Sequence, residues 1–473
     1  MLFKKNKIVL YNPHTVFFDM PLALMAIGSG YERAKFEVVI IDARIENNAH
    51  EKVLKECNGA VCFGVTVLTG SPIKDALEIT RKVKKHMPQL PTIWGGWHPS
   101  LFPKEPLLEE PSIDITVQGQ GDITFRELID AFINESSLEN IAGICYRNKK
   151  GEIVENRSRK MANMEDMPPV DYTLIDVEHY FDNKGKKHLD YISSIGCFNR
   201  CAFCADPFVF KRKFSAISAE RMANELNFLH QKYAFTHISF QDETFFTYKE
   251  RAINLGKELS KLNLNIQWTA TLRADQGDRL TIDEFKLLAL SGLKRVLVGV
   301  ESGSEEMMKR LKKDITKKQV LATANKCIKS GIAVQFPFIV GLPDETDMDF
   351  ASTLDFAIEL GNMSETFEIV IFYFKPYPGS DLAIQLIENG HKMPSTLADF
   401  SEFDYIEATN KWLPKSKIRK TEAIKFYLKL SRNKIRLIYP LKVLAEMRLK
   451  HRAFKFPIEK WLIEKIRPTQ KLA

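Results

Sequence analysis

Long apolar runs are missing from this chain: no stretch approaches the ~20 residues that a membrane-spanning helix requires. A secretory leader is not expected, because residues 1–10 scatter three lysines through a short strand-like run rather than leading into an apolar core and a small-residue cleavage site. A cytoplasmic protein is expected. Cysteine is scarce, seven in 473 residues, and the odd number argues against a disulfide framework and for a reducing compartment where thiols serve as ligands. Internal repeats and low-complexity tracts are absent, which excludes solenoids and disordered scaffolds.

What is present is ordinary globular material, 45% hydrophobic and 27% charged, in a chain too long for one ordinary domain. The net charge of +8 hides an asymmetry. Residues 411–473 hold 19 Lys and Arg against 4 Asp and Glu, a net of +15, so residues 1–410 are net −7. The main body is mildly acidic, and a general nucleic-acid binder is not expected.

Residues 1–140 alternate strand-like runs (Lys7–Tyr11, Glu37–Asp42, Ala60–Thr66, Thr92–Gly95, Ile113–Gln118) with helical patterns such as Pro21–Ala34, Ser71–His86 and Thr124–Asn134. That alternation predicts a doubly wound, Rossmann-like α/β domain, with glycines placed just after strands, where such sheets receive ligands. Residues 141–185 read as a connector, a hairpin-like piece (Gly143–Arg147, Ile153–Glu155) followed by Met167-Pro168-Pro169. From 186 to 385 a second series predicts strands at Tyr191–Ile195, His237–Gln241, Ile266–Thr271, Arg295–Val300, Val334–Val340 and Glu368–Phe374, separated by helices. Six such units suggest a partial (β/α)6 barrel, whose chemistry would sit at the C-terminal ends of its strands. Residues 386–473 read as a basic helical extension.

Three of the seven cysteines, Cys197, Cys201 and Cys204, follow the first strand of the second series in a C-x-x-x-C-x-x-C spacing. A cubane cluster has four irons and normally takes four thiolates; three, with no obvious fourth, would leave one iron open. A structural zinc site would want a fourth ligand, and His230 and His237 do not form the usual finger pattern. A ferredoxin-like carrier fails on count. Cys57, Cys62, Cys145 and Cys327 stand alone and read as small buried hydrophobes.

The triplet resembles that of the radical S-adenosylmethionine (SAM) enzymes, whose C-x-x-x-C-x-aromatic-C loop follows the first barrel strand; Phe203 matches the aromatic place. The resemblance extends over residues 190–380. It implies a [4Fe-4S] cluster on Cys197, Cys201 and Cys204, with SAM on the open iron, cleaved to methionine and a 5'-deoxyadenosyl radical. It also implies SAM-side contacts from Asp242 in Gln241-Asp242-Glu243-Thr244, Arg273 after the third strand, Glu301 in Gly299-Val300-Glu301-Ser302-Gly303, and Gly341 in Gly341-Leu342-Pro343-Asp344-Glu345. Taken singly, such motifs are weak, since glycines after strands usually serve turns. In order behind the triplet they are strong.

No G-x-G-x-x-G follows the first strand, where Asn12-Pro13-His14 stands, so the usual dinucleotide pocket is disfavoured. The N-terminal segment resembles instead the cobalamin-binding domain of a large radical SAM subfamily that includes class B methyltransferases and the anaerobic Mg-protoporphyrin ester cyclase group. The matching strings are Gly64-Val65-Thr66-Val67-Leu68-Thr69, Gly95-Gly96-Trp97-His98-Pro99 and Gly119-Gln120-Gly121-Asp122. On that resemblance Thr66, Leu68, Gly95, Gly96, His98, Gly119 and Gly121 are the expected cobalamin-side residues. The string D-x-H-x-x-G, which supplies a histidine to cobalt in other carriers, is absent, so cobalt without a protein histidine is expected.

The resulting expectation is a cobalamin-dependent radical SAM methyltransferase acting on an unactivated carbon of a small or lipid-like substrate, reduced by a donor of the flavodoxin or ferredoxin type. The same machinery could serve oxidation, cyclisation or rearrangement, and a non-enzymatic cobalamin sensor or metal-binding scaffold is the alternative from another class. Phe426–Leu430 and Phe454–Ile463 mix aromatic, aliphatic and basic residues. Such helices can lie on the inner face of an anionic membrane or cap the barrel with a solvated lysine face.

Overall fold

The structure, a computed structural model, describes residues 6–16, 18–403, 413–432, 439–454 and 457–461. It divides into two compact units. One comprises Met1–Phe198, Cys204–Gln241 and Pro378–Tyr405; the other comprises Asn199–Phe203, Asp242–Tyr377 and Ile406–Ala473.

The first unit is built on a seven-stranded sheet of β1 (Asn6–Asn12), β2 (Phe36–Asp42), β3 (Ala60–Thr66), β4 (Thr92–Gly95), β5 (Ile115–Val117), β6 (Ile144–Arg147) and β7 (Ile153–Glu155), in the order β2-β1-β3-β4-β5-β6-β7. The first five strands run parallel. Alternation along β1 explains why both faces are covered: Val9 and Tyr11 enter one core with Phe63, Val65 and Trp94, while Ile8 and Leu10 enter the other with Cys62, Phe125 and Leu128. The helix Pro72–His86 buries Ile73, Ala76, Ile79 and Val83 at helical spacing, with Asp75 in its first turn and Lys84, Lys85 and His86 in its last, as the helix dipole favours. The hairpin placed in a connector by the sequence continues this sheet, because β6 pairs antiparallel with β5 and β7 with β6.

The same unit holds β8 (His188–Tyr191), β9 (Ser194–Gly196), β10 (Phe214–Ala216) and β11 (His237–Phe240). β8 and β11 pair in parallel, and β9 and β10 form a separate antiparallel ribbon. The single strand expected over Tyr191–Ile195 is thus two: the chain leaves the parallel ladder after Tyr191 and re-pairs with Phe214–Ala216.

The second unit contains the parallel strands β12 (Gln267–Leu272), β13 (Leu293–Val298), β14 (Ala333–Val340) and β15 (Phe367–Tyr373), paired in that order. Thr281, Thr316 and Thr346 each cap the following helix, with Glu284, Gln319 and Asp349 completing capping boxes. The basic helix Lys415–Leu430 buries Ala423, Ile424, Tyr427 and Leu428, and its Glu422 accepts a 2.7 Å hydrogen bond from the Tyr373 hydroxyl of β15. This helix therefore caps a sheet, one of the two roles open to it. Residues 455, 456 and 462–473, which include part of the stretch 454–463, lie outside the described residues. Among the described residues no helix is long and apolar enough to cross a membrane.

Candidate functional site

The order β2-β1-β3 puts a switch point between β1 and β3, where ligands bind doubly wound sheets at the carboxyl edge. The loops after β3, β4 and β5 are tied in series at that edge. Val67 N–H donates to Gly95 O (2.8 Å), His98 N–H to Val67 O (2.9 Å), and Gly119 N–H to the Ser100 hydroxyl (2.9 Å). Gly96 lies at φ +93° and ψ −162°, and a Cβ there would sit 2.9 Å from Thr66 Oγ1 and 3.0 Å from Val67 N. Only glycine enters that region readily. Gly95 and Gly119 face nearly open space, Leu68 stands partly exposed, and Gly121 caps the helix Asp122–Ile133 through its carbonyl to Phe125 N–H. Thr66, Leu68, Gly95, Gly96 and Gly119 thus share one backbone-lined edge.

His98 sits behind that edge. It is buried, its Nδ1 lies 3.1 Å from Thr69 Oγ1, and its ring packs against Phe102 and Phe400 with centroids 5.2 and 5.1 Å away. Burial pushes the imidazole down to about 4, so it is neutral near pH 7. Its buried Nε2 has no hydrogen-bond partner among the described residues. Thr69 stands in the matching string without a role of its own there, and Ser100, which ties the loops after β4 and β5, lies just outside every string.

The cysteine loop begins at Gly196, where φ is +83° and a Cβ would meet Lys213 O at 2.3 Å, so the ribbon closes only on glycine. None of the three cysteines is in a disulfide. In the first unit, the Cys204 thiol hydrogen-bonds the Asp206 carboxyl, which burial pushes up to about 6 despite that bond. In the second unit, Cys201 is buried and Arg273 Nη1 approaches its Sγ at 3.7 Å, a cationic setting for that sulfur. Cys57, Cys62, Cys145 and Cys327 are buried, and burial pushes all four thiols up, Cys145 to about 11 and Cys57 and Cys327 to about 12. These are structural thiols, as their isolation in sequence suggests. Among the described residues no three His, Cys, Asp or Glu side chains converge as they would around a single metal ion; a cubane spreads its thiolates over separate irons.

The remaining expected residues lie in the second unit, with Arg273, Glu301 and Gly341 following its strands β12, β13 and β14. Glu301, at φ +68°, is held by hydrogen bonds to Pro337 O (3.1 Å) and from Ile339 N–H (2.7 Å), and its carboxylate pairs with buried Lys313 at 2.8 Å. The Lys313 ammonium lies 5.6 Å from the centre of the Phe203 ring. Arg273 also donates to Asp275 (3.0 Å) and to Lys313 O (2.8 Å). Asp242 is buried, with the Arg251 guanidinium 3.9 Å away. Lys313 and Arg251 were not foreseen, since a lysine in a Leu-Lys-Lys-Asp turn and an arginine on a helix look like solvated charges.

Gly341 N–H donates to Glu345 Oε2 at 2.9 Å, while the buried Oε1 has no hydrogen-bond partner among the described residues. Burial pushes this carboxyl up to about 7 from its ordinary value of 4.5. In the fold it retains a proton that the unfolded chain has already released, so its contribution to stability is present below about pH 4.5 and fades as pH rises through about 7. Glu345→Gln should therefore flatten the decline in Tm between about pH 5 and 8, and thermal melts of both proteins across that range check it.

Residues 15–129 match the model of the B12 binding domain, and residues 191–357 match that of the radical SAM superfamily. The chain is a radical SAM enzyme with a B12-binding domain. It is 28% identical over 415 residues to an uncharacterized methyltransferase of Pyrococcus horikoshii, covering 86% of this chain and 88% of the relative. It is 26% identical to the anaerobic magnesium-protoporphyrin IX monomethyl ester cyclase of Synechocystis sp., covering 62% of this chain and 59% of the relative. Among solved structures, the cobalamin-dependent SAM radical enzyme OxsB, with aqua-cobalamin and SAM bound, aligns at a TM-score of 0.74 and 19% identity, covering 99% of this chain and 74% of that one. That likeness is one of fold.

The B12-binding domain of this radical SAM enzyme implies cobalamin, and its radical SAM domain implies SAM and a [4Fe-4S] cluster. Its residues fit both. The edge at Gly95, Gly96 and Gly119 offers backbone without side chains to a large ligand. The cysteine loop offers thiols outside any disulfide, one of them against a guanidinium.

Proposed function

We propose that this enzyme is a methyltransferase that adds a methyl group to an unactivated carbon of a small-molecule substrate. The observation that carries the reading is the similarity to the Pyrococcus methyltransferase, which spans both domains of this chain. When bound, the cluster with SAM supplies a 5'-deoxyadenosyl radical, and cobalamin supplies a transferable methyl group.

The chain's own residues bind and orient. Cys197, Cys201 and Cys204 would hold the cluster, and Arg273 keeps the Cys201 sulfur in a cationic setting. Phe203, Asp242, Glu301 and Gly341 would form the SAM side: Asp242 and Glu301 bring buried carboxylates able to accept from an amine or hydroxyl. Thr66, Leu68, Gly95, Gly96, Gly119 and Gly121 would line the cobalamin side. His98, turned inward, would serve it through Thr69 and through its N–H to Val67 O. A reductant of the flavodoxin or ferredoxin type completes the system.

The test is anaerobic incubation of the cluster- and cobalamin-loaded chain with SAM labelled in its methyl group and a small-molecule extract of the source cells. S-adenosylhomocysteine and a labelled product are expected. A second reading, oxidation or cyclisation by the same machinery, is favoured by the similarity to the protoporphyrin ester cyclase. 5'-Deoxyadenosine without S-adenosylhomocysteine would select it.

A further inference from the structure

The turn at residues 311–314 was not singled out by any motif, yet it is bound to the central cysteine's segment at several points. Leu311 O accepts from Ala202 N–H at 2.8 Å, Asp314 pairs with Arg200 at 2.9 Å, and Lys313 O accepts from Arg273, which also approaches Cys201 Sγ at 3.7 Å. Lys312 and Asp314 both take left-handed backbone conformations, φ +48° and +53°. The turn thus delivers the Lys313 side chain inward, over Phe203 and onto Glu301.

A buried ion pair is weak evidence for stability, because apolar residues of similar volume often serve a core as well or better. The side chains of Lys313 and Glu301 are 8% and 9% exposed. Charges so placed are poorly screened by solvent and salt, and act strongly on neighbouring charge. Cys201 is among the groups that act electrostatically on Lys313.

Building on the cluster assignment above, we propose that the Lys313–Glu301 pair sets the reduction potential of the cluster bound at Cys201, Lys313 raising it and Glu301 lowering it. Reduction adds one electron, supplied by the external donor, and so adds one negative charge. The ammonium favours that charge and the carboxylate opposes it. Lys313 is a positioning residue in this scheme, touching neither substrate nor the reacting atoms.

The experiment is a reductive titration of the anaerobically reconstituted full-length chain with dithionite and mediator dyes, followed by electron paramagnetic resonance. SAM is left out, so that any role of Glu301 toward SAM does not enter. Lys313→Met should lower the equilibrium for one-electron reduction at least tenfold, about 59 mV. Glu301→Gln should raise it, and Lys313→Arg should stay near the native value. If Lys313→Met does not fold, the upward shift of Glu301→Gln decides alone. Unchanged potentials, or shifts of the same sign in Lys313→Met and Glu301→Gln, overturn the proposal while leaving the cluster assignment intact. Failure of the native chain to assemble any cluster overturns the assignment, and this proposal with it.

Discussion

Cys201→Ser is expected to bring reductive cleavage of SAM down to the level seen without protein. A serine hydroxyl remains protonated where a thiol beside a guanidinium is readily ionised, so the substitution removes one corner of the cluster's support rather than weakening it. Iron and sulfide counts after anaerobic reconstitution should fall together with 5'-deoxyadenosine formation. Cys327→Ser, at a buried helical position far in sequence from the triplet, is the contrasting variant. It is expected to cost some stability and to leave cleavage intact. If Cys201→Ser still yielded 5'-deoxyadenosine at the native rate, the cluster assignment would be wrong.

Gly96→Ala should have the second large effect, on cobalamin retention. An alanine forced into this glycine-only conformation costs about 1–3 kcal/mol, and its Cβ crowds Thr66 Oγ1 and both the N–H and C=O of Val67. Relief requires the loops after β3 and β4 to part, which breaks the edge proposed to receive the cofactor. Gly151→Ala separates strain from site. Gly151 also has a positive φ, +82°, but lies in the β6–β7 turn with nothing near its missing Cβ, at the opposite end of the sheet. Both variants should lose stability, whereas only Gly96→Ala should lose cobalamin, read as its visible absorbance after gel filtration.

Much of the fold was legible in sequence because its strands are buried on both faces and its helices are capped. The runs at β1, β3 and β4 lie within a residue or so of their expected bounds. The ribbon β9–β10 was not legible. Three-residue strands carry no measurable periodicity, and the run from Tyr191 through Ile195 looks continuous although its hydrogen bonds change partner midway. Of the candidate site, the residues in spaced motifs could be named in advance. Lys313 and Arg251 could not, since each matters through a contact made only after folding: an ammonium on Glu301, a guanidinium beside Asp242. His98 shows the converse, a residue visible in a motif whose ring turns away from the loop surface.

The short helix Leu397–Ser401 gives the first unit a particular assembly history. Leu397 and Phe400 enter the same core as Val9, Tyr11 and Trp94, and Leu397 N–H bonds to the Glu109 carboxylate, a partner 288 residues earlier in the chain. A ribosome that has released the first five strands has not yet made the residues that finish their hydrophobic packing. Loop closure over that length is slow, so the nascent domain must wait, partly uncovered, for most of the polypeptide to emerge. Fragments cut at its apparent C-terminal border would inherit that gap permanently, with aggregation as the expected outcome.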